Sequence, residues 1–272
     1  MKWIDALPEN RRRGSFPRCL LFMEGKAAIV PDELTKLVGL PEVRVGEKDF
    51  CMPRGLPVLK ADGKWDMNPI EEAILLDSVG DSRRFLSPDQ REKLTTWWLA
   101  RKARNTPNWD IASTCTIEGK PGLLLVEAKA HEKELKEDGK PRDKDSSEGS
   151  MANHEQIGRA IAEASTELNK AMAGWNLSRD SHYQLANRFA WAWKIASMGV
   201  PVALVYLGFV GATDVKNPPR LGEPFVDRAD WTRVVLEHSR GIVPEAAWGG
   251  QIKVGGVTIR PLIRVWKQEI PK

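Results

Sequence analysis

Cysteine is scarce in this 272-residue chain, and the three residues present, Cys19, Cys51 and Cys115, are odd in number and far apart. That spacing excludes a disulfide framework and a cysteine-based zinc site, and it points to reduced thiols in a cytoplasmic protein. Long apolar runs are missing too. The stretch Leu20 to Val30 is short and is interrupted by Glu24 and Lys26, so no membrane span, membrane partner or secretory leader is expected. Repeats and low-complexity tracts are likewise absent. What is present is a 42% hydrophobic chain, long enough to bury a substantial core, with a net charge of +4 and a pI near 8.9. That balance is compatible with a polyanionic partner without requiring one.

Frequent Pro and Gly with short apolar runs make residues 1–68 read as an irregular, β-rich extension. Residues 69–272 read as an α/β core with its C-terminal elements, and the two parts can form one domain. Pro69 to Ser78 carries Ile70, Ala73, Ile74 and Asp77 at helical spacing. Ser87, Pro88 and Gln90 fill the N-cap, N1 and N3 positions of a capping box ahead of Leu94, Trp97, Trp98 and Arg101. The stretch His131 to Ser150 is dense in charges of both signs and reads as a mobile surface loop. Asn153 to Met172 predicts an amphipathic helix, and Ser181 to Met198 a nearly all-apolar one. A buried strand follows over Val202 to Phe209, then a helix around Trp231 to Ser239 and a last strand from Thr258 to Trp266.

The chemistry concentrates at Asn108-Trp109-Asp110 and, after a turn at Gly119-Lys120-Pro121-Gly122, at Leu123 to Lys129. Strand parity puts Leu125, Glu127 and Lys129 on one face and Leu124, Val126 and Ala128 on the other. The apolar run ahead of Glu127 predicts a strand covered on both sides. A carboxylate and an ammonium at the end of such a strand cost several kcal/mol unless they are paired or bind a metal. The tripeptide alone discriminates nothing, since an acid, any residue and Lys recur at Glu24, Asp62, Glu118, Glu134 and Asp138. Three of these are polar Gly turns and Glu134 lies in a charged run. Only Glu24-Gly-Lys26, between Leu20-Leu21-Phe22-Met23 and Ala27-Ala28-Ile29-Val30, is a rival strand, and it lacks a hairpin partner or a preceding helix.

Pro107-Asn108-Trp109-Asp110 with Val126-Glu127-Ala128-Lys129 resembles the PD-(D/E)XK nuclease superfamily over residues 87 to 210. The departure is that Asn108 and Trp109 separate Pro107 from Asp110. The resemblance implies a restriction-endonuclease-like α/β fold, with a mixed central sheet flanked by helices. It also implies a hydrolase that cuts phosphodiesters, DNA first and RNA not excluded, leaving a 5′-phosphate and a 3′-hydroxyl. Asp110, Glu127 and Lys129 are then the catalytic residues, with Asp110, Glu127 and the Ala128 carbonyl as ligands for Mg²⁺ or Mn²⁺. Lys129 would orient or help deprotonate the attacking water. One site per chain makes a homodimer the expected form of a double-strand cutter. A helix glutamate, Glu71, Glu72 or Glu92, is a further metal-ligand candidate.

Polar residues on the later helices add candidates for nucleic-acid contact. Gln184, Asn187 and Arg188 share one face of an otherwise apolar helix, and Gln184 and Arg188 are the expected contacts. In some branches of the superfamily a Gln there is followed four residues on by Tyr, whereas here Arg188 follows. Further candidates are the Arg11, Arg12, Arg13 and Arg18 cluster, His131, and Asn153, His154, Gln156 and Arg159 at a helix start. Trp231, Trp248 or Trp266 could stack on bases. The competing reading is a binding or interaction module on the same fold that no longer catalyses, and a third is an unrelated α/β protein with a chance motif.

Overall fold

A computed structural model describes residues 2–25, 29–77, 80–101, 106–141, 147–216 and 221–271. Its centre is a mixed seven-stranded sheet. Strands β1 (Val43–Arg44) and β2 (Cys51–Met52) pair antiparallel with one edge of β7 (Ile111–Ile117), whose other edge pairs antiparallel with β8 (Lys120–Lys129). The other edge of β8 runs parallel to β9 (Val202–Phe209), which lies parallel to β11 (Val257–Trp266). β10 (Ile252–Val254) closes that side antiparallel. Two small ribbons, β3 (Val58–Leu59) with β4 (Trp65–Asp66) and β5 (Ala73–Ile74) with β6 (Asn108–Trp109), lie outside it.

Helices cover both faces. Leu123 and Leu125 of β8 and Leu204 and Tyr206 of β9 pack with α3 (Pro88–Trp98), α4 (Glu148–Ala171) and α5 (Tyr183–Ser197). The intervening residues Leu124, Val126 and Ala128 pack with Cys19 and Phe22 of α1 (Ser15–Phe22) and Leu34 and Leu37 of α2 (Val30–Val38). The alternation expected of β8 is therefore realised on both faces. Each fully buried Leu or Val contributes about 1.5–3 kcal/mol, so this double burial fixes the register against a one-residue slip. Among the described residues no helix is long and apolar enough to cross a membrane.

Several local expectations are corrected. Residues 15–22 and 30–38 are helices rather than part of a β-rich extension, and they form the second layer over the sheet. The rival Glu24 thus follows a helix, and its Lys26 lies outside the described residues. Pro69 to Ser78 is not a helix: a 3₁₀ turn at Asn68–Ile70 leads into β5, where Ala73 pairs with Trp109. Helical spacing fitted this segment equally well, but strand pairing and the burial of Leu75 decided it. Ser78 itself lies outside the described residues. The hairpin turn is at Glu118-Gly119, both with positive φ, one step before the expected site.

The start of α6 (Arg228–His238) is capped by Asp227, and Trp231 then lies fully buried against β9 with its Nε1 donating to the Tyr206 carbonyl at 3.2 Å. Gly208 permits this approach, because a Cβ there would sit 2.5 Å from the Trp231 ring. The α3 capping box is formed as expected, with Ser87 Oγ accepting from Gln90 N–H at 3.2 Å and Gln90 Oε1 from Ser87 N–H at 2.9 Å.

Candidate functional site

The C-terminal end of β8 brings together residues far apart in the chain. Asp110 lies at the bend between β6 and β7, one residue before Ile111 pairs with Val126. Its Oδ2 accepts the Ala128 N–H at 2.7 Å, which seats the aspartate beside the exit of β8. Parity turns Glu127 toward α5, where Arg188 Nε donates to Glu127 Oε2 at 2.6 Å. Lys129, two residues on, donates from Nζ to Glu127 Oε1. Glu127 is 1% and Lys129 5% exposed, so the pair is buried and not at a solvated sheet edge.

Arg188 is fixed from every side. Its NH2 donates to the Asn108 carbonyl at 2.7 Å, its NH1 to Asn187 Oδ1 at 3.1 Å, and its guanidinium lies 4.5 Å from the centre of the Trp109 ring. The expected nucleic-acid contact therefore serves, in this arrangement, as the second cation on Glu127. Gln184 lies one turn earlier on α5 and lines a cleft of about 820 Å³ with Arg188, Asn187, Asn108, Lys136 and Lys140. Arg188 is the link between this cleft and Glu127, whereas Asp110, Glu127 and Lys129 do not line it.

The electrostatics separate the two carboxylates. Burial alone would raise Glu127, but the Arg188 and Lys129 charges outweigh it and hold the carboxyl below its ordinary range. Among the described residues Asp110 has no such partner in contact, and desolvation, then repulsion from Glu127, pushes it up to about 8. Burial would lower Lys129, yet the surrounding Glu127, Asp110 and Glu134 carboxylates raise it further, so its ammonium stays charged. As arranged, it can orient a water or an anion and stabilise negative charge.

Of the three helix glutamates considered, Glu72 is close enough to raise Asp110, and it sits in the loop ahead of β5 rather than on a helix. It accepts from Arg11 NH2 at 3.0 Å and from Asn108 Nδ2 at 3.4 Å. Glu71 and Glu92 are exposed. Sequence reasoning missed Glu134 in the charged stretch after β8. It accepts the Ser15 N–H at 3.0 Å and the Ala130 N–H at 2.5 Å, pinning the start of α1 to the end of β8. Nothing in its local sequence marks that role. The segment around it is bridged to Pro224 and Ser181 and buries His131, which differs from the expected surface loop; residues 142–146 lie outside the described residues.

Other candidates are used structurally. Arg18 is buried, bonded to Asp214 and to the Gly14 and Gln268 carbonyls. Asn153 Oδ1 accepts the Arg101 N–H at 2.8 Å and Gln156 Nε2 donates to the Trp97 carbonyl at 2.7 Å, closing the end of α3. Trp231 is buried, Trp248 donates to Ser239 Oγ at 3.1 Å, and Trp266 packs edge-on against Phe22, so all three serve packing.

The donors suit a hard divalent cation. Asp110 is half-buried, only its Oδ2 accepts a hydrogen bond among the described residues, and desolvation followed by repulsion from Glu127 raises its pKa, a rise that a bound cation would offset. Both Glu127 oxygens are taken, so Glu127 would join such a site by yielding the Lys129 or the Arg188 contact. Comparisons with protein-family models, with curated proteins and with solved structures find no match to this chain.

Proposed function

We propose that this protein is a metal-dependent nuclease of the PD-(D/E)XK kind, with a restriction-endonuclease-like core, that hydrolyses phosphodiester bonds in DNA. The observation that carries this reading is the convergence of Asp110, Glu127 and Lys129 at the end of a central strand that is antiparallel to one neighbour and parallel to the other. Drift rarely keeps two carboxylates and an ammonium together in a buried place.

The residues divide the work by their environments. Asp110, Glu127 and the Ala128 carbonyl would hold Mg²⁺ or Mn²⁺, whose contribution is to acidify water and to neutralise charge on the phosphoryl oxygens. Lys129, kept charged, places the attacking water or the scissile phosphate and stabilises the charge that grows in the transition state. Arg188 holds Glu127 ionised and aimed. Gln184, Lys136 and Lys140 line the cleft that the polyanion would enter. Cutting both strands of a duplex with one site per chain would take two copies of the chain.

A second reading has its own support: both Glu127 oxygens are already occupied by cations, as in a purely structural ion network. That reading predicts DNA binding without cleavage and without a metal requirement. Incubation with supercoiled plasmid separates the two. A nuclease nicks or degrades it with Mg²⁺ or Mn²⁺ and stops on chelation, whereas a binding module only retards its migration.

A further inference from the structure

Apart from the carboxylate site, one cluster combines two imidazoles and a carboxylate. Candidate ligand atoms of Glu137, His182 and His238 all lie within 4.8 Å of one another. The two rings lie 4.9 Å apart between centroids, tilted at 55°, and the buried Nδ1 of His182 has no hydrogen-bond partner among the described residues. A buried imidazole nitrogen left without a partner is costly, so it calls for a ligand.

The backbone already holds the three segments in place. His182 N–H donates to the Glu137 carbonyl at 2.7 Å and Tyr183 N–H to the Asp138 carbonyl at 3.0 Å, while Lys140 N–H donates to the Arg179 carbonyl at 2.7 Å. Gly139 allows this close pairing, because a Cβ there would lie 2.5 Å from the Asp180 backbone. His182 takes a left-handed conformation, φ 46°, uncommon for a residue with a Cβ, at the start of α5. His238 is delivered by the last turn of α6, anchored through Trp231. Loop, α5 and α6 therefore converge by construction.

We infer that Glu137, His182 and His238 form a second metal site, for a zinc-class transition ion, chemically distinct from the oxygen-donor site at Asp110. Two imidazoles and a carboxylate match the preference of zinc, whereas Mg²⁺ takes oxygen ligands. Tetrahedral coordination at about 2.0–2.1 Å needs ligand atoms about 3.4 Å apart, so the cluster must contract by up to about 1.4 Å. The Glu137 side chain, which is exposed, can supply that movement. Three protein ligands leave a fourth position for water or an anionic oxygen.

The test uses the full-length, chelator-stripped protein titrated with Zn²⁺ against a chromophoric chelator, and with Co²⁺ read by its visible absorption. One ion per chain is expected, with intense tetrahedral Co²⁺ bands and no competition from a large excess of Mg²⁺. Glu137→Gln and His238→Gln each weaken binding at least tenfold, and Asp110→Asn leaves it unchanged. Because Glu137 is exposed, its variant keeps the fold, which circular dichroism verifies. Binding that is absent in the wild type, or equal in wild type and both cluster variants, overturns the inference. Loss of Zn²⁺ in Asp110→Asn alone also overturns it, by moving the ion to the other site.

Discussion

Glu127 decides the behaviour of the candidate site, because its two oxygens are shared between Lys129 and Arg188. Removing one partner of a buried ion network leaves a charge uncompensated and costs about 3–5 kcal/mol. Arg188→Met is therefore expected to lose about that much stability in urea titrations, and saturating Mn²⁺ is expected to restore part of it by binding only the folded state. If Mn²⁺ leaves the variant unchanged, Glu127 is not a ligand. Asp110 sets a pH dependence. Its folded pKa of about 8 exceeds its ordinary value of 3.8, so between those limits the folded chain holds a proton that the unfolded chain has lost. Stability from this group is complete below about pH 4 and declines as pH rises toward 8. Asp110→Asn should flatten that decline in urea melts from pH 5 to 8. In the wild type, Mn²⁺ affinity should rise over the same range as the ion displaces the proton.

The α6 and β9 elements meet where Gly208 lies under the Trp231 ring. Gly208→Ala forces the indole out of place and should cost about 1–3 kcal/mol in thermal or urea unfolding, whereas an unchanged midpoint would mean that α6 can slide on the sheet. Elements whose signal was local were legible in the sequence. The α3 capping box, the parity of β8 and the continuous apolar run of β9 each follow from a few neighbouring residues. Elements decided by distant partners were not: Ala73 pairs with Trp109, and Arg18 is buried against Asp214 at the other end of the chain. The site divides in the same way. Asp110, Glu127 and Lys129 were readable from pattern, while the use of Arg188 as a clamp, Glu134 as a pin and Glu72 as a neighbour depends on the fold.

Across the whole molecule, the helical layers on both faces exclude water from the sheet, and the cleft of about 820 Å³ lies beside the candidate site, sharing Arg188 with it. Lys136 and Lys140 line that cleft and, on the proposed reading, would give a polyanion an approach whose strength should fall with salt. Lys129→Ala removes the charged group nearest the proposed chemistry while leaving Arg188 on Glu127. The most direct measurement is single-turnover cleavage of supercoiled and linear plasmid in Mn²⁺ by wild type and Lys129→Ala, with equal DNA binding and folding verified for both. Metal-dependent cleavage by the wild type, slowed about 100- to 1,000-fold in the variant, is the predicted result. Equal rates in the two proteins, or DNA bound but left intact by the wild type across Mg²⁺ and Mn²⁺, would contradict hydrolysis at this site.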